Sequence, residues 1–92
     1  MSVKNHVSIN PTSSGTVQSS TLNVQSISWI SNDGANDITM NFEDSITGTG
    51  STGSNFVVKA GEVVEDLDQS VGTLYYISTG GDTAFRLFGK AR

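Results

Sequence analysis

The last third of the chain most constrains what it can fold into. Phe56-Val57-Val58-Lys59-Ala60-Gly61-Glu62, then Leu74-Tyr75-Tyr76-Ile77-Ser78, then Thr83 to Gly89 are short runs rich in β-branched and aromatic residues, cut by glycine. Such residues suit a pleated, half-buried surface, and the glycines between them would be costly inside a helix. The rest of the sequence agrees. Val3, Val7 and Ile9 alternate with Lys4, His6 and Ser8; Leu22 and Val24 alternate with Thr21, Asn23 and Gln25; Ile38, Met40 and Phe42 alternate with Thr39, Asn41 and Glu43. A period of two turns one side of each strand to a core and the other to water.

The pattern also predicts where the strands bend and turn. Ile27 and Trp29 break the even-numbered register of Leu22 and Val24, which places a bulge near Gln25-Ser26, because one inserted residue exchanges the two faces. Trp29 then shares a face with Ile27 and is expected in the core. The stretch Ser31-Asn32-Asp33-Gly34-Ala35-Asn36-Asp37 is dense in turn formers and predicts a central hairpin. A two-residue turn at Gly80-Gly81 predicts a final hairpin with Tyr76 opposite Phe85, Tyr75 opposite Arg86 and Leu74 opposite Leu87. Leu74, Tyr76, Phe85 and Leu87 then face the core. The other face holds Tyr75, Ile77, Ala84, Arg86 and Phe88, a mixture of aromatics and arginine typical of interface centres, with Arg86 expected to stack on Tyr75.

Ninety-two residues make one domain with a single thin core. The expected fold is all-β: a small β-sandwich or jelly-roll-like domain of about seven or eight short antiparallel strands. Residues 1–15 read as an N-terminal strand or arm and residues 16–92 as the sandwich. Val3, Val7 and Ile9 would let the arm add as a strand to a sheet edge, its own or a neighbour's. The run Thr47-Gly48-Thr49-Gly50-Ser51-Thr52-Gly53-Ser54 carries almost no side-chain volume and reads as a mobile loop. It lacks the Lys-Ser/Thr ending of a phosphate-binding loop.

Chemistry is hard to find. With no cysteine there are no disulfides, thiolate metal sites or cysteine nucleophiles. Five cations against nine anions give a net charge of −4, which argues against binding nucleic acid through its phosphates. No apolar run is long enough to span a bilayer as a helix, and residues 1–6 lack the apolar core of a signal peptide. His6 is the one histidine, with no nucleophile motif near it. Asp33, Asn36 and Asp37 do not follow a calcium-loop spacing. Glu62, Glu65, Asp66 and Asp68 read as a solvated acidic surface, not as a paired-carboxylate site. No catalytic residue, metal or cofactor is therefore expected.

The order of elements resembles small β-sandwich virion proteins of tailed bacteriophages. It consists of a strand ending in an Asn-Asp-Gly turn (Trp29 to Gly34), an alternating strand (Ile38 to Phe42), Phe56 to Glu62, and Leu74 to Gly81 with Ala84-Phe85-Arg86. The resemblance spans Ser26 to Gly89 and is one of strands and turns, not of an identifying motif. It implies a non-enzymatic capsid decoration, cement or tail-accessory protein, made in the host cytoplasm and located in the virion. It also implies a homo-oligomer, a trimer for preference, attached to a major capsid or tail protein without nucleic acid or membrane. The residues expected at the joint are Tyr75, Ile77, Arg86 and Phe88, with Val3, Val7 and Ile9 of the arm. The alternative is a carbohydrate-binding or adhesive module with Trp29, Tyr75 or Tyr76 as a sugar platform.

Overall fold

The computed structural model describes residues 6–43, 46 and 54–92 and contains eight antiparallel strands, with no helix among the described residues. They are β1 (His6–Ile9), β2 (Thr12–Ser13), β3 (Gln18–Asn32), β4 (Ile38–Asn41), β5 (Phe56–Val58), β6 (Val63–Leu67), β7 (Val71–Ser78) and β8 (Thr83–Ala91). Val3 and most of the expected Gly-rich loop lie outside the described residues. The all-β fold read from the periodicity is the fold observed.

The organising element is β3, fifteen residues long. Along one edge it pairs first with β7 (Gln18 with Tyr76) and then with β6 (Ser31 with Val63), so β6 and β7 act as two halves of one bent partner. Along its other edge, from Val24 onward, it pairs with β8, and β8 in turn pairs with β1 and β2. The far end of β7 continues to β4 and β5. The sheet thus folds on itself. One layer is β1/β2, β8, the second half of β3 and β6; the other is the first half of β3, β7, β4 and β5.

Between the layers lies one apolar cluster, including Leu22, Val24, Ile27, Ile30, Ile38, Met40, Val58, Val71, Leu74, Tyr76, Phe85 and Leu87. Each fully buried Leu, Ile or Phe contributes about 1.5–3 kcal/mol over its exposed state. The core faces expected for Leu74, Tyr76, Phe85 and Leu87 are as observed, all four being buried.

Their expected pairing is not. Among the described residues β7 and β8 do not pair, and neither do β3 and β4, so neither predicted hairpin exists. Both turns are crossings between layers. A hairpin would hold Tyr76 and Phe85 side by side in one sheet, each with half its surface still to cover. The crossing sets them face to face across the core, their rings meeting edge-on at 4.9 Å. Burial of both apolar faces overrides the local turn preference.

Two bulges bend β3. Its register with β8 shifts between Val24 and Ser26, at the place where the parity flips in the sequence, and again between Ile27 and Trp29. The second shift was not expected and moves Trp29 out of the core. Ile27 and Ile30, three apart, both point inward and are buried, while Trp29 stands half-exposed on the outer surface. Gly89 faces Ile27 at this bend, where a Cβ would come within 2.7 Å of the Ser26 carbonyl oxygen. Asp66, between the paired residues Glu65 and Leu67, takes a left-handed φ of 58° as β6 follows the same bend.

One end of the sandwich is tied by the buried Asn32, 1% exposed. Its Nδ2 donates to the carbonyls of Asn36 (2.8 Å) and Val58 (3.0 Å), and its Oδ1 accepts from the Gly34 amide (3.1 Å) and the Thr83 hydroxyl (3.0 Å). All four hydrogen-bonding positions of the amide are filled. Gly34 is needed here, since a Cβ would overlap Thr83 Oγ1.

Candidate interaction face

The outer surface of the β1/β8/β3/β6 layer follows from register and pleat. Phe88 faces Trp29, Trp29 faces Glu65, and Arg86 faces Ser31, which faces Val63. Alternation puts all six on one side, with Lys90 beyond Phe88 on β8 and His6 and Ser8 on β1. The rings stack in a row: His6 on Phe88 at 5.0 Å between centroids and 12° between planes, then Phe88 on Trp29 at 6.0 Å and 20°. The Arg86 guanidinium lies 5.5 Å from the Trp29 ring centroid. Arg86 also grips Asp33, with Nε donating to Oδ2 at 2.6 Å and an η nitrogen to Oδ1 at 3.1 Å, while the Ser31 hydroxyl donates to Asp33 Oδ1 at 2.8 Å. These bonds, the arginine's first, hold the Asp33 carboxyl below its ordinary value, and the same contact raises the arginine. Trp29, Ser31, Val63, Glu65 and Arg86 together line a shallow groove of about 370 Å³. Val63 at its edge is 53% exposed, the one large hydrophobic side chain so exposed among the described residues.

The expected joint residues do not come together. Arg86 and Phe88 belong to this face, but Tyr75 and Ile77 lie on β7 in the other layer, half-buried beside Asn41 and Thr39 of β4. The two pairs occupy opposite outer surfaces, and the ring that Arg86 meets is Trp29, not Tyr75. Val7 and Ile9 are partly buried and pack against the core of their own chain, with β1 paired to β8. The residues that sequence reading missed on this face are Trp29, His6 and Asp33. The signal for Trp29 was present in the three-residue spacing of Ile27 and Ile30, the trace of a bulge; nothing local announced the approach of Asp33 to Arg86, 53 positions away.

The other polar candidates have structural roles. Asp37 Oδ1 accepts the Ala60 amide at 3.0 Å, and Asn36 Nδ2 donates to the Asp82 carbonyl at 3.2 Å. Glu62 Oε1 accepts the Lys59 amide at 2.8 Å and closes the turn before β6. Among the described residues no group of three or more His, Cys, Asp or Glu side chains is placed to hold a metal ion. A second cleft of about 300 Å³ opens between the layers, with Phe42, Phe56, Val64 and Leu67 at its apolar base and Glu43, Ser54 and Gln69 around it. Comparison with family models, curated proteins and solved structures finds no match for this chain.

Proposed function

We propose that the chain is a non-enzymatic structural protein of the virion decoration or tail-accessory kind, attached in several copies to a repeating protein surface. The observation that carries this reading is the outer face built from Trp29, Phe88, His6 and Arg86. Half-exposed aromatics around an arginine are the residue types that dominate the energetics of protein interfaces. A single small face of this kind binds weakly, and repetition over a symmetric shell converts weak contacts into firm attachment.

The arrangement of the rings favours a protein partner over a sugar. A carbohydrate ring stacks on an open aromatic face, whereas here the ring planes are turned on one another and Arg86 covers Trp29. What is presented outward is ring edges, a guanidinium and Val63. The test is co-sedimentation with virus-like particles from the source that expresses the chain. The protein is expected in the particle fraction at fixed stoichiometry, and Arg86→Glu is expected to shift it to the soluble fraction with its circular dichroism unchanged. Wild-type protein that stays wholly soluble beside intact particles would refute the reading.

A further inference from the structure

Asp33-Gly34 is the one place in the sequence where an aspartate or asparagine precedes glycine. Without a Cβ on the second residue, its backbone nitrogen is open to attack the aspartyl carboxyl carbon, and the backbone is free to turn into the angle that attack requires. The fold needs both members of the pair. A Cβ at Gly34 would overlap Thr83 Oγ1, and Asp33 grips the Arg86 guanidinium that lies over Trp29. Each of the two reacting groups is otherwise engaged. The Gly34 amide donates to Asn32 Oδ1 at 3.1 Å, while Asp33 Oδ2 accepts from Arg86 Nε and Asp33 Oδ1 from an Arg86 η nitrogen and the Ser31 hydroxyl. We infer that Asp33-Gly34 is a latent site of aspartate isomerisation, kept closed in the folded protein by the Arg86 clamp.

The step needs no co-reactant but water. The Gly34 nitrogen bonds to Asp33 Cγ, and a carboxyl oxygen departs as water with the acid proton and the amide proton, leaving a cyclic succinimide. Water then adds back. Breaking the bond between the Gly34 nitrogen and Cγ restores aspartate; breaking the bond to the main-chain carbonyl carbon leaves the chain running through Cγ as isoaspartate, with no change in mass. The reactive form is the neutral acid, because a carboxylate is a poor electrophile. Arg86 therefore guards the site in two ways: it fixes the orientation of the carboxyl, and its hydrogen bond holds that group below its ordinary value, in the ionised form. The product disturbs both regions that it touches. Isoaspartate lengthens the backbone by a methylene and leaves the carboxylate directly on Cα, short of its former reach. Gly34 is then displaced from Asn32, and Arg86 loses its partner beside Trp29. The inference does not depend on what binds the outer face.

The decisive experiment ages the full chain in mildly acidic heavy-oxygen water and follows the peptide that contains Asp33, reading isoaspartate by backbone fragmentation and each passage through succinimide by the oxygen taken up. Four samples are compared: wild type, wild type in denaturant, Arg86→Gln and Lys90→Gln. Arg86 and Lys90 are both exposed on β8, so both variants are expected to fold, and circular dichroism checks this. In the folded protein the reaction waits on local opening of the loop, so the denatured chain is expected to isomerise fastest and the folded wild type slowest. Arg86→Gln is expected to exceed the folded wild type by about two- to fivefold, the range that loss of an exposed ion pair allows. Lys90→Gln is expected to match the wild type. Isomerisation no faster in denaturant than in the folded state, an Arg86→Gln rate equal to wild type, an equal acceleration in Lys90→Gln, or earlier isoaspartate at another position would each overturn the inference.

Discussion

The closed end around Asn32 and the outer face around Trp29 sit next to each other and handle their side chains in opposite ways. At the closed end every hydrogen-bonding position of a buried amide is filled from within the chain, by groups on the β3–β4 connection, β5 and β8. On the outer face aromatic rings and a valine are left partly in water. Polar groups whose bonds are completed internally hold a fold together, and apolar groups left uncovered are available to a partner. Substitutions in the two regions should therefore separate stability from association.

The largest effect is expected for Asn32→Ala. Removing the amide strands the Asn36 and Val58 carbonyls, the Gly34 amide and the Thr83 hydroxyl, and an unsatisfied buried group costs about 1–3 kcal/mol. A loss of about 3 kcal/mol or more is expected in chemical denaturation, with the melting temperature lowered by more than about 10 °C. The contrast between the two regions predicts that the folded fraction of this variant still associates as the wild type does. A change below about 1 kcal/mol would show that Asn32 is not the tie between the β3–β4 connection, β5 and β8.

How much of this could be read from the sequence differs between the same two regions. Strand positions and inward faces were legible because a period of two is a local property: Leu74, Tyr76, Phe85 and Leu87 are where the alternation puts them. Pairing was not legible. The Asn-Asp-Gly and Gly-Gly turns read as hairpins, yet both carry the chain between layers, because which strand lies next to which is settled by covering whole faces of a sheet. One missed bulge at Ser28 was enough to misplace Trp29, and with it the centre of the candidate site. Arg86 and Phe88 were singled out correctly as neighbours on one surface, while Tyr75 and Ile77 were joined to them only through a hairpin that does not form.

Ser13 offers a smaller test at the closed end. It lies opposite Thr83 on β8 and is fully buried, yet its hydroxyl has no hydrogen-bond partner among the described residues. If completed bonding is what stabilises this end, then deleting an uncompleted group should help. Ser13→Ala is expected to raise stability by about 0.5–1 kcal/mol, the sign opposite to that at Asn32. Destabilisation by a similar amount would mean that the hydroxyl is bonded in solution.

The smallest effect, and the sharpest on the boundary between the regions, concerns Asp33, which belongs to the closed-end loop and reaches Arg86 on the face. The Arg86 hydrogen bond, followed by that of Ser31, lowers its carboxyl below the ordinary 3.8. A group whose value is lower in the folded state contributes stability that is fully present above its unfolded value and is lost as the pH falls through the folded one. The advantage of wild type over Asp33→Asn should accordingly be constant from neutrality down to about pH 4 and shrink below it. Both groups are solvent-exposed, so the loss is small and salt reduces it further. Carboxyl chemical shifts followed by NMR should place the Asp33 midpoint below 3.8 in the wild type and move it upward in Arg86→Gln. An unshifted midpoint in the wild type would mean that Asp33 does not hold the arginine in solution, leaving its charge free on the face.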